Sequence, residues 1–245
     1  MITKIKIEIC KKRDIKKLKK FIHSEWKKNH VLSKDNSVME WFYGNKNFIN
    51  FILAKYNSKI VGVLGFIPNY KFDQSLRKKT VIWLALWKVV NIKKFNGVGI
   101  KLLNFLQNKF KTSKFACNGI NEKVEVIYKL FNFKTFPLNH YYLVNSSIKQ
   151  KILKLNNKVK KFKKKKDIYR IKKLNQKTIK NLKLPKSNLN NKSPIYFLNR
   201  YLKCSFFNYS AYGIYKENSV VGIFISKIQI IKQSKISRII DFIGD

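Results

Sequence analysis

Residues 94–103, with the sequence KFNGVGIKLL, combine lysines with two closely spaced glycines, Gly97 and Gly99. They follow an apolar run over 81–90 that predicts a buried strand, and they open a segment with helical periodicity. Glycine allows the backbone to approach a ligand closely, and the unpaired N–H groups of a first helical turn point toward bound anions. The segment therefore predicts a binding site for the phosphate groups of a cofactor or substrate.

The elements that would position this turn follow from the hydrophobic spacing on either side of it. A helix is predicted over 14–28, with Asp14 as its N-cap. After it we predict a β-hairpin over 48–56 and 60–68, the strand over 81–90, a helix over 99–110, a strand over 115–120, a helix over 122–131 and a strand over 138–144. Strands and helices thus alternate through the first 145 residues.

The composition sets limits on the class of protein. With 245 residues, of which 45% are hydrophobic, the chain can bury a full core. No apolar run reaches the about 18–20 residues of a membrane span, and the amino terminus lacks the core of a signal peptide, so we expect a cytoplasmic protein. The three cysteines, Cys10, Cys117 and Cys204, are widely spaced, which predicts free thiols and no metal site.

The net charge of +42, from 54 basic and 12 acidic residues, has two interpretations. It favours an anionic partner, such as nucleic acid, an anionic membrane surface or an anionic substrate. Alternatively, it reflects a general bias toward lysine, asparagine and isoleucine on an ordinary enzyme. The basic residues are mostly lysine, whereas base-reading and bidentate phosphate sites usually favour arginine, so nucleic-acid binding is the less favoured main role.

The pattern changes after residue 145. A dense basic run over 158–166 predicts a basic linker or helical region over 146–190. Beyond it, residues 218–224 (NSVVGIF) repeat the pattern of 57–64 (NSKIVGVL), and a further apolar run follows over 236–244. We therefore expect a partial second copy over 191–245 that lacks a counterpart of the glycine turn. One hypothesis is that the chain is a truncated form of a longer two-unit transferase.

The order of elements over 1–145, with the glycine turn in its place, resembles the GNAT superfamily of N-acyltransferases. The family's turn has Gln or Arg, two residues, Gly, one residue, then Gly or Ala; here Lys94 takes the first position and the glycines are Gly97 and Gly99. A second family pattern, an Asn before a helix that carries a Tyr and ends in Gly-Phe, is matched by Asn121 and Tyr128 followed by Asn-Phe at 132–133. The resemblance implies an α/β (α+β) fold: a mixed, mostly antiparallel sheet flanked by helices, with a smaller, incomplete second α/β unit.

The resemblance also implies acetyl-CoA, or another acyl-CoA, as co-substrate. In such proteins the strand before the turn separates from its neighbour, and the pantetheine arm pairs with the exposed backbone. Here Val89 and Val90, with Trp87, would supply that backbone. The pyrophosphate would lie on the backbone N–H groups of the turn, contributed by Asn96, Gly97, Val98, Gly99 and Ile100, with Lys94 close by.

The same resemblance assigns candidate catalytic roles. Tyr128 would be the general acid that protonates the leaving thiolate, although its position on an apolar helix face is equally typical of a core residue. Asn121 would bind pantetheine, cap its helix, or do both. The general base stays open between His140, Glu40, Glu122 and a chain of water molecules.

The acceptor implied by the resemblance is a small-molecule amine. Residues 83–142 also resemble acyltransferase-type proteins encoded with surface-polysaccharide genes, which makes an anionic, nucleotide-activated amino sugar one candidate. The alternative function is a degenerate GNAT-like module that binds nucleic acid or anionic membrane through its lysine-rich surface.

Overall fold

The computed structural model describes residues 5–111, 113–139, 141–143, 168–182, 184, 192–231 and 234–244. These residues form two compact units, Met1–Phe136 and Pro137–Asp245, each of which has its own sheet. The predicted strand over 138–144 is wrong for its described residues, which form no regular structure and leave Leu138, Tyr141 and Leu143 about four-fifths exposed. Apolar residues that nothing covers have no reason to order as a strand.

The first unit contains a five-stranded sheet in the order β1-β2-β3-β4-β5. Its strands are β1 Lys6–Lys11, β2 Phe48–Tyr56, β3 Lys59–Pro68, β4 Val81–Val89 and β5 Lys114–Cys117. The first four pair antiparallel, and β5 runs parallel to β4. The predicted hairpin is confirmed, and its two turn residues, Asn57 and Ser58, have φ values of 47° and 61°. Both residues therefore adopt the left-handed conformation that tight hairpins require.

Helices cover the sheet of the first unit. Before β2 lie α1 Ile15–Phe21, continued by a π-turn over Ile22–Trp26, and then α2 Val31–Lys34 and α3 Asn36–Tyr43. After β4 come α4 Val98–Lys109 and α5 Glu122–Leu130. Val98, Leu102 and Leu106 of α4 pack into one buried cluster with residues of β2, β3 and β4. The helix therefore holds the start of its own first turn against the sheet.

The prediction that Asp14 caps the first helix is wrong. Its side chain makes no capping hydrogen bond and instead lies 2.8 Å from Lys55 Nζ, which also bonds Glu8 at 2.8 Å. Lys55 lies on β2 and Glu8 on β1, so this ion cluster joins two strands to the start of α1. The lysine binds Glu8 strongly enough to lower the pKa of that carboxyl to about 2.

The second unit contains a four-stranded antiparallel sheet in the order β6-β7-β8-β9. The strands are β6 Tyr169–Leu174, β7 Tyr209–Lys216, β8 Ser219–Ile231 and β9 Ser234–Gly244, and the helices are α6 Gln176–Lys180 and α7 Pro194–Phe197, the latter continued by a π-turn over Leu198–Leu202. β6 and α6 lie within the region predicted as a linker over 146–190, so the second unit begins earlier than expected. The basic run over 158–166 lies outside the described residues.

The two sheets share irregularities as well as strand order. In the first hairpin, Ala54 pairs with Gly62 and Lys55 with Ile60, so Val61 is an extra residue. In the second hairpin, Ile214 pairs with Gly222 and Tyr215 with Val220, which leaves Val221 extra at the same place. The two hairpins therefore share an extra residue at corresponding positions. The fourth strand of each sheet is also irregular: the register shifts between the Leu64 and Phe66 pairs in the first sheet and between the Ile225 and Ser226 pairs in the second.

A buried polar cluster lies at the irregularity of β9. The carboxylate of Asp241 accepts a hydrogen bond from Tyr201 Oη at 2.6 Å and forms an ion pair with Lys192. The Lys192 side chain is only 7% exposed, so this carboxylate neutralises a cation that has little access to water. In the described residues, no helix is both long and apolar enough to cross a membrane.

Candidate functional site

β4 loses its neighbour on one side halfway along its length. Its pairing with β5 runs from Val81 to Leu84, where Leu84 faces Cys117, the last residue of β5. On the other side β4 stays paired with β3 as far as Val89. The outer edge of β4 after Leu84 is therefore open, because no described strand pairs with it. The exposed edge that the prediction requires is present because β5 ends at Cys117.

The open edge presents the backbone of alternate residues. Val90 N–H donates to Val61 O at 2.9 Å, which places the paired residues Val89 and Gly62 in a non-hydrogen-bonded position of the ladder. The N–H and C=O groups of Val89, and of Trp87 two residues earlier, therefore point to the open side. Val90 differs from the expectation: its N–H is used by Val61, and its carbonyl accepts from Ile92 N–H at 2.9 Å.

The glycine turn ends in a set of backbone donors. Asn96 N–H bonds Lys93 O at 3.1 Å, so this group is not available to a ligand, contrary to the expectation. The next bond made by the turn is Lys101 N–H to Gly97 O at 3.2 Å. Between them, the N–H groups of Gly97, Val98, Gly99 and Ile100 have no acceptor among the described residues. Consecutive free donors at the start of a 12-residue helix have the geometry and the partial positive charge that an anion requires.

The two glycines of the turn are required for different reasons. Gly97 has φ 78°, a left-handed conformation that side chains disfavour, and a Cβ there would meet nothing within 4 Å. A Cβ on Gly99 would lie 3.3 Å from Nε1 of the Trp87 indole. Gly97 therefore turns the chain into the helix, whereas Gly99 lets the helix start lie directly on the ring of Trp87.

Lys94 is held by an aromatic residue of the first hairpin. Its Nζ lies 2.6 Å from Tyr56 Oη and 3.8 Å from the centre of the Tyr56 ring. The Tyr56 ring in turn contacts Phe95 edge-on at 5.6 Å. The basic side chain expected beside the turn is therefore held in place by Tyr56.

Tyr128 is both a core residue and a neighbour of the open edge. It is 3% exposed, and its ring centre lies 5.6 Å from that of Trp87 and 4.9 Å from that of Phe133. Cys117, the last residue of β5, packs on the same buried cluster. Burial raises the pKa of Tyr128, and the nearby thiol raises it further. The phenol therefore stays protonated at neutral pH, so it can donate a proton but cannot act as a base.

The helix that carries Tyr128 is closed at both ends by asparagines. Asn121 Oδ1 accepts from Val124 N–H at 2.9 Å, so its capping role is present. Asn132 has φ 58°, and Phe133 N–H reaches back to Tyr128 O at 3.0 Å. This left-handed ending fits the substitution of Asn for the family's Gly. Asn121 itself is exposed, and its capping oxygen is already engaged by the helix.

The base candidates are not brought together by the structure. His140 lies outside the described residues. Glu40 and Glu122 are both exposed, on α3 and in the first turn of α5. Within the described residues, no three His, Cys, Asp or Glu side chains are grouped as metal ligands would be.

Three residues of this region were missed by the sequence reasoning. Cys117 was treated only as a free thiol, Tyr56 only as part of a hairpin, and Trp87 only as backbone. Cys117 packs on the buried cluster that contains Tyr128, Tyr56 contacts Lys94, and Trp87 lies against Gly99. Only the position of Trp87, two residues before Val89 on the same strand face, gave a local signal.

Comparisons with known proteins identify the fold. No family model and no curated protein sequence matches this chain. Among solved structures, Naa50 from Arabidopsis thaliana in complex with the bisubstrate analogue CoA-Ac-MVNAL is 16% identical, with a TM-score of 0.43, over 58% of this chain and 91% of that one. The aminoglycoside N-acetyltransferase AAC(6')-Iy in complex with CoA is 12% identical, with a TM-score of 0.45, over 59% and 97%.

A third structure aligns with both units. A GCN5-related N-acetyltransferase from Anabaena variabilis is 11% identical, with a TM-score of 0.53, and the alignment covers 98% of this chain. This chain spans 59% of the length of that protein. Of these three structures, the Anabaena variabilis protein has a TM-score above 0.5, and the likeness concerns the fold. The chain has the fold of the GCN5-related N-acetyltransferases.

Proposed function

We propose that this protein is an N-acyltransferase that moves an acetyl or other short acyl group from acyl-CoA to an amine. The observation that carries the proposal is the set of four free N–H groups over 97–100, which directly follows the open edge of β4. A pyrophosphate would bind these N–H groups. The pantetheine arm would extend along β4 and pair with the backbone of Val89 and Trp87.

The thioester would then lie where β4 and β5 separate, near Tyr128. The amine nitrogen forms a bond to the thioester carbonyl carbon, and the carbon–sulfur bond breaks toward sulfur. The thiolate takes the proton of the Tyr128 hydroxyl, which the raised pKa keeps neutral until that moment. The base that accepts the amine proton stays open between His140, Glu40, Glu122 and solvent.

The distribution of carboxylates favours an acceptor that is not polycationic. Of the acidic residues in the described part of the first unit, Glu8 and Asp14 bond Lys55, Asp35 and Asp73 cap helical turns, and Glu125 pairs with Lys129. Only Glu25, Glu40 and Glu122 are left to bind a cationic substrate. Together with the net charge of +42, this supports an amine on an anionic molecule, such as the nucleotide-activated amino sugar of a surface-polysaccharide pathway.

We propose further that the second unit is a partial copy of the first. The shared strand order and the matched extra residues Val61 and Val221 support this. The glycine turn and the open edge of β4 both belong to the first unit, so the proposed acyl-CoA site lies there.

Two measurements test the proposed function. Calorimetry should show binding of acetyl-CoA, and much weaker binding of pantetheine, which lacks the pyrophosphate. Release of free CoA should then be followed with a panel of amines: a UDP-linked amino sugar, an aminoglycoside and a short peptide. We expect the anionic amino sugar to react fastest. Absence of acetyl-CoA binding at millimolar concentration would refute the proposed function.

A further inference from the structure

A polar cavity of about 430 Å³ lies in the first unit, at the end of α4. One side is formed by Tyr70 and Arg77, from the connection between β3 and β4, and the other by the last turn of α4 and the residues that lead into β5. Because α4 has 12 residues and rises about 1.5 Å per residue, the cavity lies about 18 Å along the helix from the glycine turn. It is therefore separate from the proposed acyl-CoA site.

The residues that line the cavity include cations and no carboxylate. Arg77, Lys109 and Lys111 all lie on its walls. Within the part of the chain that the structure describes, none of these three side chains forms an ion pair. The carbonyl end of α4 contributes a partial negative charge of about one half, which three full positive charges outweigh. The cavity therefore attracts an anion.

Arg77 distinguishes this cavity from the general basic surface. It is one of five arginines among the 54 basic residues of the chain. Its guanidinium carbon lies 5.4 Å from the centre of the Tyr70 ring, within the range of a cation–π contact. A guanidinium held against a ring presents its N–H groups in one plane, and that arrangement can bind a phosphate through two hydrogen bonds. A lysine at this position would offer a point charge only.

The remaining walls suit an organic group attached to the phosphate. The cavity falls within the range of about 300–1,000 Å³ that is typical of small-molecule sites. Bases stack on tyrosine rings and on guanidinium planes, and the Arg77–Tyr70 pair offers both. The Asn108 amide and the Ser113 hydroxyl, which have no side-chain hydrogen bond among the described residues, can bond the hydroxyls of a sugar. Phosphate, sugar and flat ring together describe a nucleotide.

We propose that this cavity is a second ligand site, which binds a nucleoside phosphate. Arg77 and the two lysines bind the phosphate, the Arg77–Tyr70 pair stacks on the base, and Asn108 and Ser113 bond the sugar. A strand of nucleic acid carries the same groups, but strands are bound on rows of rings, whereas the Arg77–Tyr70 pair serves one base. We therefore assign a free nucleotide. The site does not depend on the proposed function, because it shares no residue with the acyl-CoA site.

The first experiment measures the binding of uridine monophosphate (UMP) by calorimetry at about 0.15 M salt. Gly97→Asp serves as the background, because a negative charge in the glycine turn keeps phosphates away from that site. In this background, Arg77→Gln should weaken UMP binding by about tenfold or more, the effect of one lost charge-assisted hydrogen bond. Arg13→Gln removes the same charge at an exposed position after β1, at the opposite edge of the sheet, and should change the Kd by less than about twofold.

The two arginine variants can refute the site. If Arg77→Gln and Arg13→Gln lose the same affinity, binding follows net charge alone and the proposal is wrong. Absence of UMP binding at millimolar concentration, in the native protein and in the Gly97→Asp background, refutes it as well.

The second experiment tests whether the base contributes to binding. Ribose 5-phosphate, which lacks the base, should bind about tenfold more weakly than UMP. Tyr70→Leu should weaken UMP binding by a similar factor, whereas Tyr70→Phe, which keeps the ring, should retain it. Equal affinities for UMP, ribose 5-phosphate and inorganic phosphate would overturn the assignment to a nucleotide. An oligouridylate that binds far more tightly than UMP would overturn the assignment to a free nucleotide.

The third experiment locates the bound UMP. Ser113→Cys places a thiol on the cavity wall, and its alkylation by iodoacetamide is followed by mass spectrometry. At ten times its Kd, UMP should slow this reaction about tenfold, since about nine-tenths of the protein is then occupied. Ser219→Cys, at an exposed position of the second unit, should react at an unchanged rate. Thermal unfolding of each variant checks that the fold is kept.

The outcomes separate this site from the proposed function. If UMP binds without protecting the Ser113→Cys thiol, the ligand lies elsewhere and the proposal is overturned. Failure of acetyl-CoA to bind would refute the proposed function alone, because the UMP measurements do not use acetyl-CoA.

Discussion

The sharpest test of the proposal that the glycine turn binds a pyrophosphate is a negative charge placed at Gly97. A Cβ at this position meets nothing within 4 Å, so a short side chain has room. The φ of 78° is one that Asn and Asp tolerate better than most residues do. Gly97→Asp and Gly97→Asn therefore carry nearly the same backbone strain and the same side-chain shape. They differ by one negative charge beside the free N–H groups.

The size of the effect follows from Coulomb's law. A carboxylate about 6 Å from one negative charge of a pyrophosphate, at an effective dielectric constant of about 20, adds about 3 kcal/mol of repulsion. That corresponds to about a 100-fold weaker affinity for acetyl-CoA in Gly97→Asp than in Gly97→Asn. Calorimetry on both variants measures the ratio, and added salt should reduce it because the site is partly exposed.

The comparison of the two variants can refute the phosphate assignment. If Gly97→Asp and Gly97→Asn bind acetyl-CoA equally, a bound phosphate does not lie near the turn, whatever each variant does relative to the native protein. Circular dichroism of both variants checks that the fold is kept. A loss of affinity shared by the two variants would report backbone strain and not charge.

Three further outcomes are expected. Tyr128→Phe should lower kcat about 100-fold, as loss of a general acid does, with little change in KM for acetyl-CoA; an unchanged kcat would leave Tyr128 as a core residue only. The pKa of Glu8 is lowered from 4.5 to about 2, so its bond to Lys55 contributes stability above pH 4.5 that is lost as the pH falls toward 2. Urea unfolding should show a loss of about 3 kcal/mol over this range that Glu8→Gln abolishes and Glu122→Gln, a change at an exposed site, does not. Asp241→Asn should destabilise the second unit by about 3–5 kcal/mol, because it removes the carboxylate that forms an ion pair with the largely buried Lys192, whereas Glu217→Gln in the exposed hairpin turn should have no effect on thermal unfolding.

Much of the fold of the first unit could be predicted because its signals are local. The hairpin over 48–68, the strand over 81–90 and the helix after Gly97 each follow from apolar spacing and turn residues within a few positions. The position of the glycine turn could be predicted for the same reason, because a strand, a left-handed glycine and a helix start are adjacent in sequence. The strand expected over 138–144 had the same apolar pattern, but the pattern alone cannot indicate whether another element covers it.

What could not be predicted depends on contacts between distant residues. Asp14 precedes a helix, as an N-cap does, yet its carboxylate forms an ion pair with Lys55 on β2. Val90 follows the strand in the expected place, yet its N–H donates to the carbonyl of Val61 and is therefore not available to a ligand. In both cases two groups compete for one polar atom, and the sequence does not show which of the two lies closer to it.

The irregularity in β4 explains how one strand both packs into the core and contacts the start of α4. Before the irregularity, Ile82 and Leu84 of β4 pack into the buried cluster with α4. After it, Trp87 and Val89 pack against the same cluster, so the core-facing side chains change from even-numbered to odd-numbered residues. An extra residue in a strand turns the following side chains over and bends the strand. Trp87 is thereby brought to the face where it contacts both Gly99 and Tyr128. The same strand therefore packs into the core through its first half and supports the start of α4 through its second half.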